Sequence, residues 1–249
     1  MARVLFRSGH LAQVIGAELA DGRSVVIKVR PFEPRVAGCA AVQAYLAAAG
    51  FPCPLPLAGP AASVPSLTPS PPWTGWDHPA ARLWPDRDDQ GRDLNESPGP
   101  GWVDRAAGRV RQRMSACHEP LRIGHGDWES QNIRWAGDRT LAVHDWDSVI
   151  ARPEVAIAGL AAAVWPAAGE PGQAATVEQS ADFITCYQAA AGARWTGPQI
   201  QYAWAAGLWV RLFNARKDAA SGGPQLDRLA GEIDDRLALA GLNREPGGT

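Results

Sequence analysis

The chain lacks an excess of basic charge. Its 24 lysines and arginines stand against 26 aspartates and glutamates, a net charge of −2, and the pI is near 6.2. Binding along a phosphate backbone calls for clustered Lys and Arg, so nucleic acid is excluded as a partner. Long apolar runs are lacking too. Residues 156–164 are apolar but fall far below the roughly 20 residues that span a bilayer, so no membrane partner is expected. The first ten residues hold no apolar signal-peptide core. Cys39, Cys53, Cys117 and Cys186 form neither a C-x-x-C pair nor a zinc spacing. They read as reduced core thiols, and the protein as cytoplasmic. Five histidines are scattered along the chain, too dispersed for a hydrolase that builds its metal centre from several imidazoles. No internal repeat is visible.

What is present supports a sizeable core. The 249 residues are 46% hydrophobic and 20% charged, enough for one two-lobed unit or two small domains. Eleven tryptophans read mainly as packing residues. Trp73, Trp76 and Trp84 lie in a proline-rich stretch and fit either a core or a substrate cleft.

The densest chemistry lies in His125-Gly126-Asp127, Asn132 and Asp145-Trp146-Asp147. The second acidic cluster opens 18 residues after Asp127. This order matches H-R-D-x-x-x-x-N followed by D-F-G, as a protein kinase writes its catalytic and metal-binding loops. The spacing has a reason: one Asp accepts a hydroxyl proton, an Asn turns back to a metal, and a second Asp completes the metal site on the ATP phosphates. Residues 133–135 and 140–143, joined by Ala136-Gly137-Asp138-Arg139, predict a hairpin that delivers Asp145 from a strand end. Upstream, Val25-Val26-Ile27-Lys28 parallels the V-A-I-K strand whose lysine meets the phosphates.

H-G-D in place of H-R-D, with D-W-D in place of D-F-G, resembles the aminoglycoside phosphotransferase and choline kinase-like family, as a shortened or divergent member. The resemblance spans residues 3–56 and 121–166 at motif level. It implies an α+β, protein-kinase-like two-lobed fold, with ATP and Mg²⁺ as cofactors and a small-molecule hydroxyl as acceptor. Asp127 is then the catalytic base, and His125 acts beside it, by orienting the loop or in the chemistry. Asn132 and Asp145 are metal ligands, with Asp147 either a further metal-proximal acid or a supporting one. Lys28 meets the phosphates, and Ser8 and Gly9, in a turn with His10, cover them.

Residues 3–6, 11–19 and 24–29 read as strands and 36–49 as a helix closed by Gly50. Residues 52–100 carry 12 of the 21 prolines, which predicts a connector without a helical layer. Further helices are expected at 102–117, 154–164, 174–191, 198–219 and 224–240. The organisation expected is a reduced β-rich nucleotide lobe at 1–59, a connector at 60–100 and a helical lobe with the catalytic and metal loops at 101–249. Glu170, Glu178 and Asp182 read as a solvated helix face or as an acidic rim for a cationic acceptor.

Two features depart from the family pattern. Kinases pair the strand lysine with a glutamate from the next helix, but residues 36–49 contain no acid, and Cys39 falls at the expected site. Glu18, with Glu33 as the other candidate, is the expected substitute. The connector offers no strand pair and only a thin hinge for adenine. The leading function is an ATP- and Mg²⁺-dependent O-phosphotransferase acting on an aminoglycoside- or amino-alcohol-like acceptor. The alternative is a non-catalytic kinase-like scaffold that binds nucleotide weakly or not at all.

Overall fold

The computed structural model describes residues 3–9, 12–60, 66–79, 81–85, 87–88, 91–167, 173–219 and 222–242. The fold is α+β. It opens with an antiparallel meander of β1 (Arg3–Gly9), β2 (Gln13–Glu18) and β3 (Ser24–Val29). Gly22 turns the chain between β2 and β3 at a positive φ of 82°, a conformation without steric cost only for glycine. In the ladder Ser8 faces Val14, and Val14 faces Lys28. Opposed residues point to the same side of a pleated sheet, so these three share one face. Ser8 and Gly9 therefore lie within β1 and not in the turn expected there. His10 and Leu11, between β1 and β2, fall outside the described residues.

Helix α1 (Pro34–Ala48) starts with proline in its first turn, where the missing N–H costs nothing. It packs chiefly against the short 3₁₀ turn Trp146–Ser148. Cys39, Val42 and Leu46 join Ile133, Val143, Trp146 and Val149 in a small core there. The sheet stays open, with Phe6, Val26 and Ile27 exposed.

Among the described residues, 49–100 contain no strand and a single 3₁₀ turn, Pro72–Thr74. Buried aromatics and arginine clamps hold this connector. Trp76, Trp84 and Leu94 enter the main core. Arg216 Nη2 donates to Leu94 O at 2.6 Å, and Arg152 Nη1 to Asp77 at 2.7 Å. Trp76 and Trp84 are thus core residues.

The chain continues through α2 (Gly101–Ser115), β4 (Leu121–His125), β5 (Ile133–Ala136), β6 (Arg139–Val143) and β7 (Val149–Pro153). β5 and β6 form the predicted hairpin, and β7 returns antiparallel to β4. β7 was not expected: five residues ending in Arg152 and Pro153 give little period-two signal. Four helices follow, α3 (Glu154–Val164), α4 (Val177–Ala191), α5 (Gly197–Ala219) and α6 (Gln225–Leu239). α4 begins after 174 because Thr176 and Gln179 form a reciprocal capping box. Ala174 and Ala175 stay outside the helix, and the Ala175 carbonyl accepts from Arg236 Nη2 at 2.6 Å.

α3 and α5 cross at glycines. A Cβ on Gly159 would stand 2.0 Å from the Ala203 carbonyl oxygen, and one on Gly207 2.7 Å from that of Gly159. All four cysteines are free. No helix among the described residues is long and apolar enough to cross a membrane.

Candidate active site

The site is assembled on β4, the β5–β6 hairpin and the loop between β6 and β7. β4 ends at His125, which is 5% exposed. Its Nε2 lies 2.8 Å from the His144 carbonyl and must donate to it, so Nδ1 accepts the Asp127 N–H at 3.2 Å. Burial pushes the imidazole below its ordinary value, which keeps it neutral and suits that tautomer. Trp128 and Trp146 meet the ring edge-on at 5.7 and 5.3 Å. With both nitrogens committed to backbone, His125 has the place of a loop-orienting residue. The glycine between His125 and Asp127 has a steric reason: a Cβ there would be 2.8 Å from the Ser148 carbonyl oxygen. Trp73 reaches this loop from the connector, donating Nε1–H to Gly126 O at 2.9 Å.

Asn132 ends a 3₁₀ turn and folds back on Asp127. Its Nδ2 donates to the Asp127 backbone oxygen at 2.9 Å and to Oδ2 at 3.1 Å. That fixes the amide, leaving its oxygen as the atom that can face a cation. Asp145 follows β6 and has a left-handed backbone, φ 64°. Among the described residues it is the only non-glycine with positive φ, the kind of outlier that collects at functional sites.

Lys28 crosses from the sheet to meet these acids. Its Nζ bonds Asp145 Oδ1 and lies 3.3 Å from Asp147 Oδ1. Neither Glu18 nor Glu33 substitutes for the absent helix acid. Glu18 faces Ser24 in the ladder, four residues from Lys28, and pairs with Arg3. Glu33 pairs with Arg30 at 3.5 Å. Period two explains the error: Glu18 shares the face of Lys28 but lies about 13 Å away along the strand.

Three residues join the site without having been singled out in the sequence. Arg30 Nη1 binds Asp147 Oδ2 at 2.6 Å. Arg35, 4% exposed, donates to the carbonyls of Asp147 at 2.6 Å, Val149 at 2.9 Å and Pro69 at 2.9 Å. Glu129 lies close enough to feel the charges of Asp127 and Asp145. A signal existed for Arg30, which stands two residues after Lys28 and so on the same face. None existed for Arg35, whose acceptors are backbone carbonyls 34–114 residues away.

The carboxylates divide electrostatically. Burial, and then the neighbouring Asp147 charge, push Asp145 above its ordinary value. For Asp147 burial acts upward as well, but the hydrogen bond with Asp145 and the charges of Lys28 and Arg30 bring it down to about 2. Glu129 is pushed up to about 8, by burial first and then by Asp127. Burial alone would lower Lys28, yet Asp147 and Asp145 together raise it.

Among the described residues no three His, Cys, Asp or Glu side chains converge on a metal position. Asn132 and Asp145 are a mixed amide and carboxylate pair, and both offer the oxygen atoms that Mg²⁺ prefers. Asp145 is half-buried and, among the ion pairs of the described residues, meets one cation, Lys28, so its second oxygen and the Asn132 amide oxygen fit a divalent cation. Ser8 lies on the Lys28 face two strands away, about 10 Å by strand spacing. Gly9, opposite Gln13 and Val29, belongs to the other set of positions. Glu178 and Asp182 are exposed on α4, and Glu170 lies outside the described residues.

No protein-family model matches the chain, and no curated protein does. Among solved structures, the chain is similar to a choline/ethanolamine kinase family protein from Mesorhizobium loti. The identity is 18% and the TM-score 0.49, over 96% of this chain and 84% of that one. A likeness of that degree identifies neither a family nor an activity.

Proposed function

We propose that the protein is an ATP- and Mg²⁺-dependent phosphotransferase acting on the hydroxyl of a small molecule of the amino-alcohol or aminoglycoside class. One observation carries the reading: the Lys28 ammonium, from the N-terminal sheet, bonds the Asp145 carboxylate 117 residues away, beside an Asn132 whose amide is locked onto Asp127. Phosphoryl transfer needs these roles separated and these groups adjacent.

On this reading residues 1–59 form the nucleotide lobe and 101–249 the catalytic lobe, joined by 60–100. Lys28 binds the phosphates electrostatically. The face of the sheet that carries Lys28 also carries Phe6, laid against Gly16, and Val26, an apolar surface suited to a purine. Asp127 orients the acceptor hydroxyl and takes its proton as the bond to the terminal phosphorus of ATP forms and the bond from that phosphorus to the departing ADP breaks. His125 holds the Asp127 backbone, and Asn132 holds its carboxylate. Asn132 and Asp145 would hold Mg²⁺, which supplies charge neutralisation to the phosphate oxygens.

A non-catalytic scaffold is the second reading. It is favoured by the absence of a carboxylate from α1 at Lys28 and of any described strand in the connector. Calorimetry with ATP, with and without Mg²⁺, separates the two. The enzyme binds Mg·ATP, and Asp145→Asn removes the metal-dependent part of the affinity. Unchanged Mg·ATP affinity in that variant sinks the metal assignment, and no binding by the native protein sinks the enzyme.

A further inference from the structure

We propose that Asp147 is the positioning residue of Lys28, and that Arg30 holds Asp147 in place for it. The inference rests on the phosphotransferase reading and deepens it. A lysine that binds phosphates needs a carboxylate to keep it extended toward them, a part that a helix glutamate plays in protein kinases. Here α1 brings an arginine and a cysteine to the site instead.

The geometry of Asp147 suits the part. Its two oxygens are divided between two cations, with Oδ2 on Arg30 Nη1 at 2.6 Å and Oδ1 facing Lys28 Nζ at 3.3 Å. A carboxylate anchored through one oxygen presents the other in a fixed direction. Lys28 and Arg30 stand two residues apart on one strand line, so both reach across the same gap. The backbone of Asp147 is fixed as well. Its carbonyl accepts from Arg35 Nη1 at 2.6 Å and has the Cys39 thiol at 3.6 Å. Helix α1 is thus coupled to the lysine by gripping the acid's backbone from the opposite side, with Cys39 at the helix position expected to hold the glutamate.

Asp145 differs on each count. It has no arginine partner among the hydrogen bonds and ion pairs of the described residues. Its ion pair among the described residues is with Lys28, where Asp147 also holds Arg30, so Asp145 is the acid with an oxygen left for a divalent cation. Lys28 meets both acids. Once Asp145 is engaged elsewhere, Asp147 remains to orient the lysine. The division gives Asp145 to the metal and Asp147 to Lys28.

Two measurements test this. The first is calorimetry with ATP, in Mg²⁺ and in EDTA, on Asp147→Asn, Lys28→Met, the double variant and Arg30→Gln. Asp147→Asn is expected to weaken ATP about tenfold in both conditions, as loss of a charge-assisted contact would, without moving the Mg²⁺ concentration at half-saturation. The double variant should bind no more weakly than Lys28→Met alone, because Asp147 acts through Lys28. Arg30→Gln should reproduce part of the loss and Arg30→Lys restore it. A tenfold shift in Mg²⁺ half-saturation with EDTA binding unchanged would make Asp147 a metal ligand and overturn the proposal. Fully additive losses in the double variant would overturn it as well.

The second measurement needs no nucleotide. The chain has two lysines, Lys28 and Lys217, so ¹³C-lysine labelling gives two ε-methylene environments. The Lys28 signal should be that of one rotamer in the native protein and in Asp145→Asn, and become averaged in Asp147→Asn and Arg30→Gln. A Lys28 signal that stays ordered in Asp147→Asn refutes the positioning role. Failure of the native protein to bind ATP refutes the enzyme reading separately, and the lysine signal still decides this one.

Discussion

Arg35→Leu tests how the site is held. Arg35 is 4% exposed, and its Nε, Nη1 and Nη2 each donate to a backbone carbonyl, at 2.9, 2.6 and 2.9 Å. Hydrogen bonds from charged groups are worth about 1.5–3 kcal/mol each, so the three sum to roughly 5–9 kcal/mol. Against that stands the cost of burying a guanidinium, effectively several kcal/mol. Leucine recovers that cost and leaves three carbonyls unpaired, so the net loss should be about 2–4 kcal/mol. Urea unfolding followed by tryptophan fluorescence measures it, and at about 2–4 °C per kcal/mol for a chain of this size the Tm should fall by roughly 4–16 °C. Mg·ATP affinity should fall as well, since two of the three carbonyls belong to Asp147 and Val149 and frame the acidic loop. Arg35→Lys, a point charge with one nitrogen for three separated acceptors, should recover less than half of the stability. A leucine variant within about 0.5 kcal/mol of native, with Mg·ATP affinity intact, would refute the clamp. Full rescue by lysine would show that charge matters and the guanidinium fork does not.

Asp127→Ala should leave Mg·ATP affinity within a few fold while lowering transfer by orders of magnitude, as for a group acting in the transition state; a transferring acceptor with an unchanged rate would exclude Asp127 as base. Gly159→Ala should destabilise by about 1–3 kcal/mol or more, because its Cβ would meet the Ala203 backbone at 2.0 Å; Gly108→Ala, on α2 with open space around it, should be neutral or stabilising. Glu129, with a folded value near 8 against an ordinary 4.5, keeps its proton longer in the folded chain. Its contribution is therefore largest below pH 4.5 and is lost as pH rises toward 8. Glu129→Gln should flatten the decline of metal-free stability across that window and raise stability at pH 8 by on the order of a few kcal/mol. Urea midpoints at pH 5, 6.5 and 8 that keep the native slope in the variant would exclude Glu129 as its source.

Much of the architecture was legible because it is local. β3 and α3 match their expected bounds, since a short β-branched run leading to Lys28 and a longer apolar run opening at Glu154 are local signals. The hairpin β5–β6 was legible from the glycine turn at 137, which adopts positive φ. That His125, Asp127 and Asn132 come together was also readable, because close spacing within one loop is a property of the chain. Partnerships across the fold were not. The partner of Lys28 was expected to be Glu18 on β2 or Glu33 just before α1, and it comes instead from the loop after β6. Residue spacing says which side chains share a strand face, but not which distant loop that face meets. Arg35 shows the same limit in another form: an arginine in the first turn of a helix reads as solvated, until the fold brings three carbonyls around it from different segments. The sequence by itself determined most of the elements and the loop that joins His125, Asp127 and Asn132, whose signals span a few residues. The tertiary structure alone decided which cation faces which acid, because that depends on how separate elements pack.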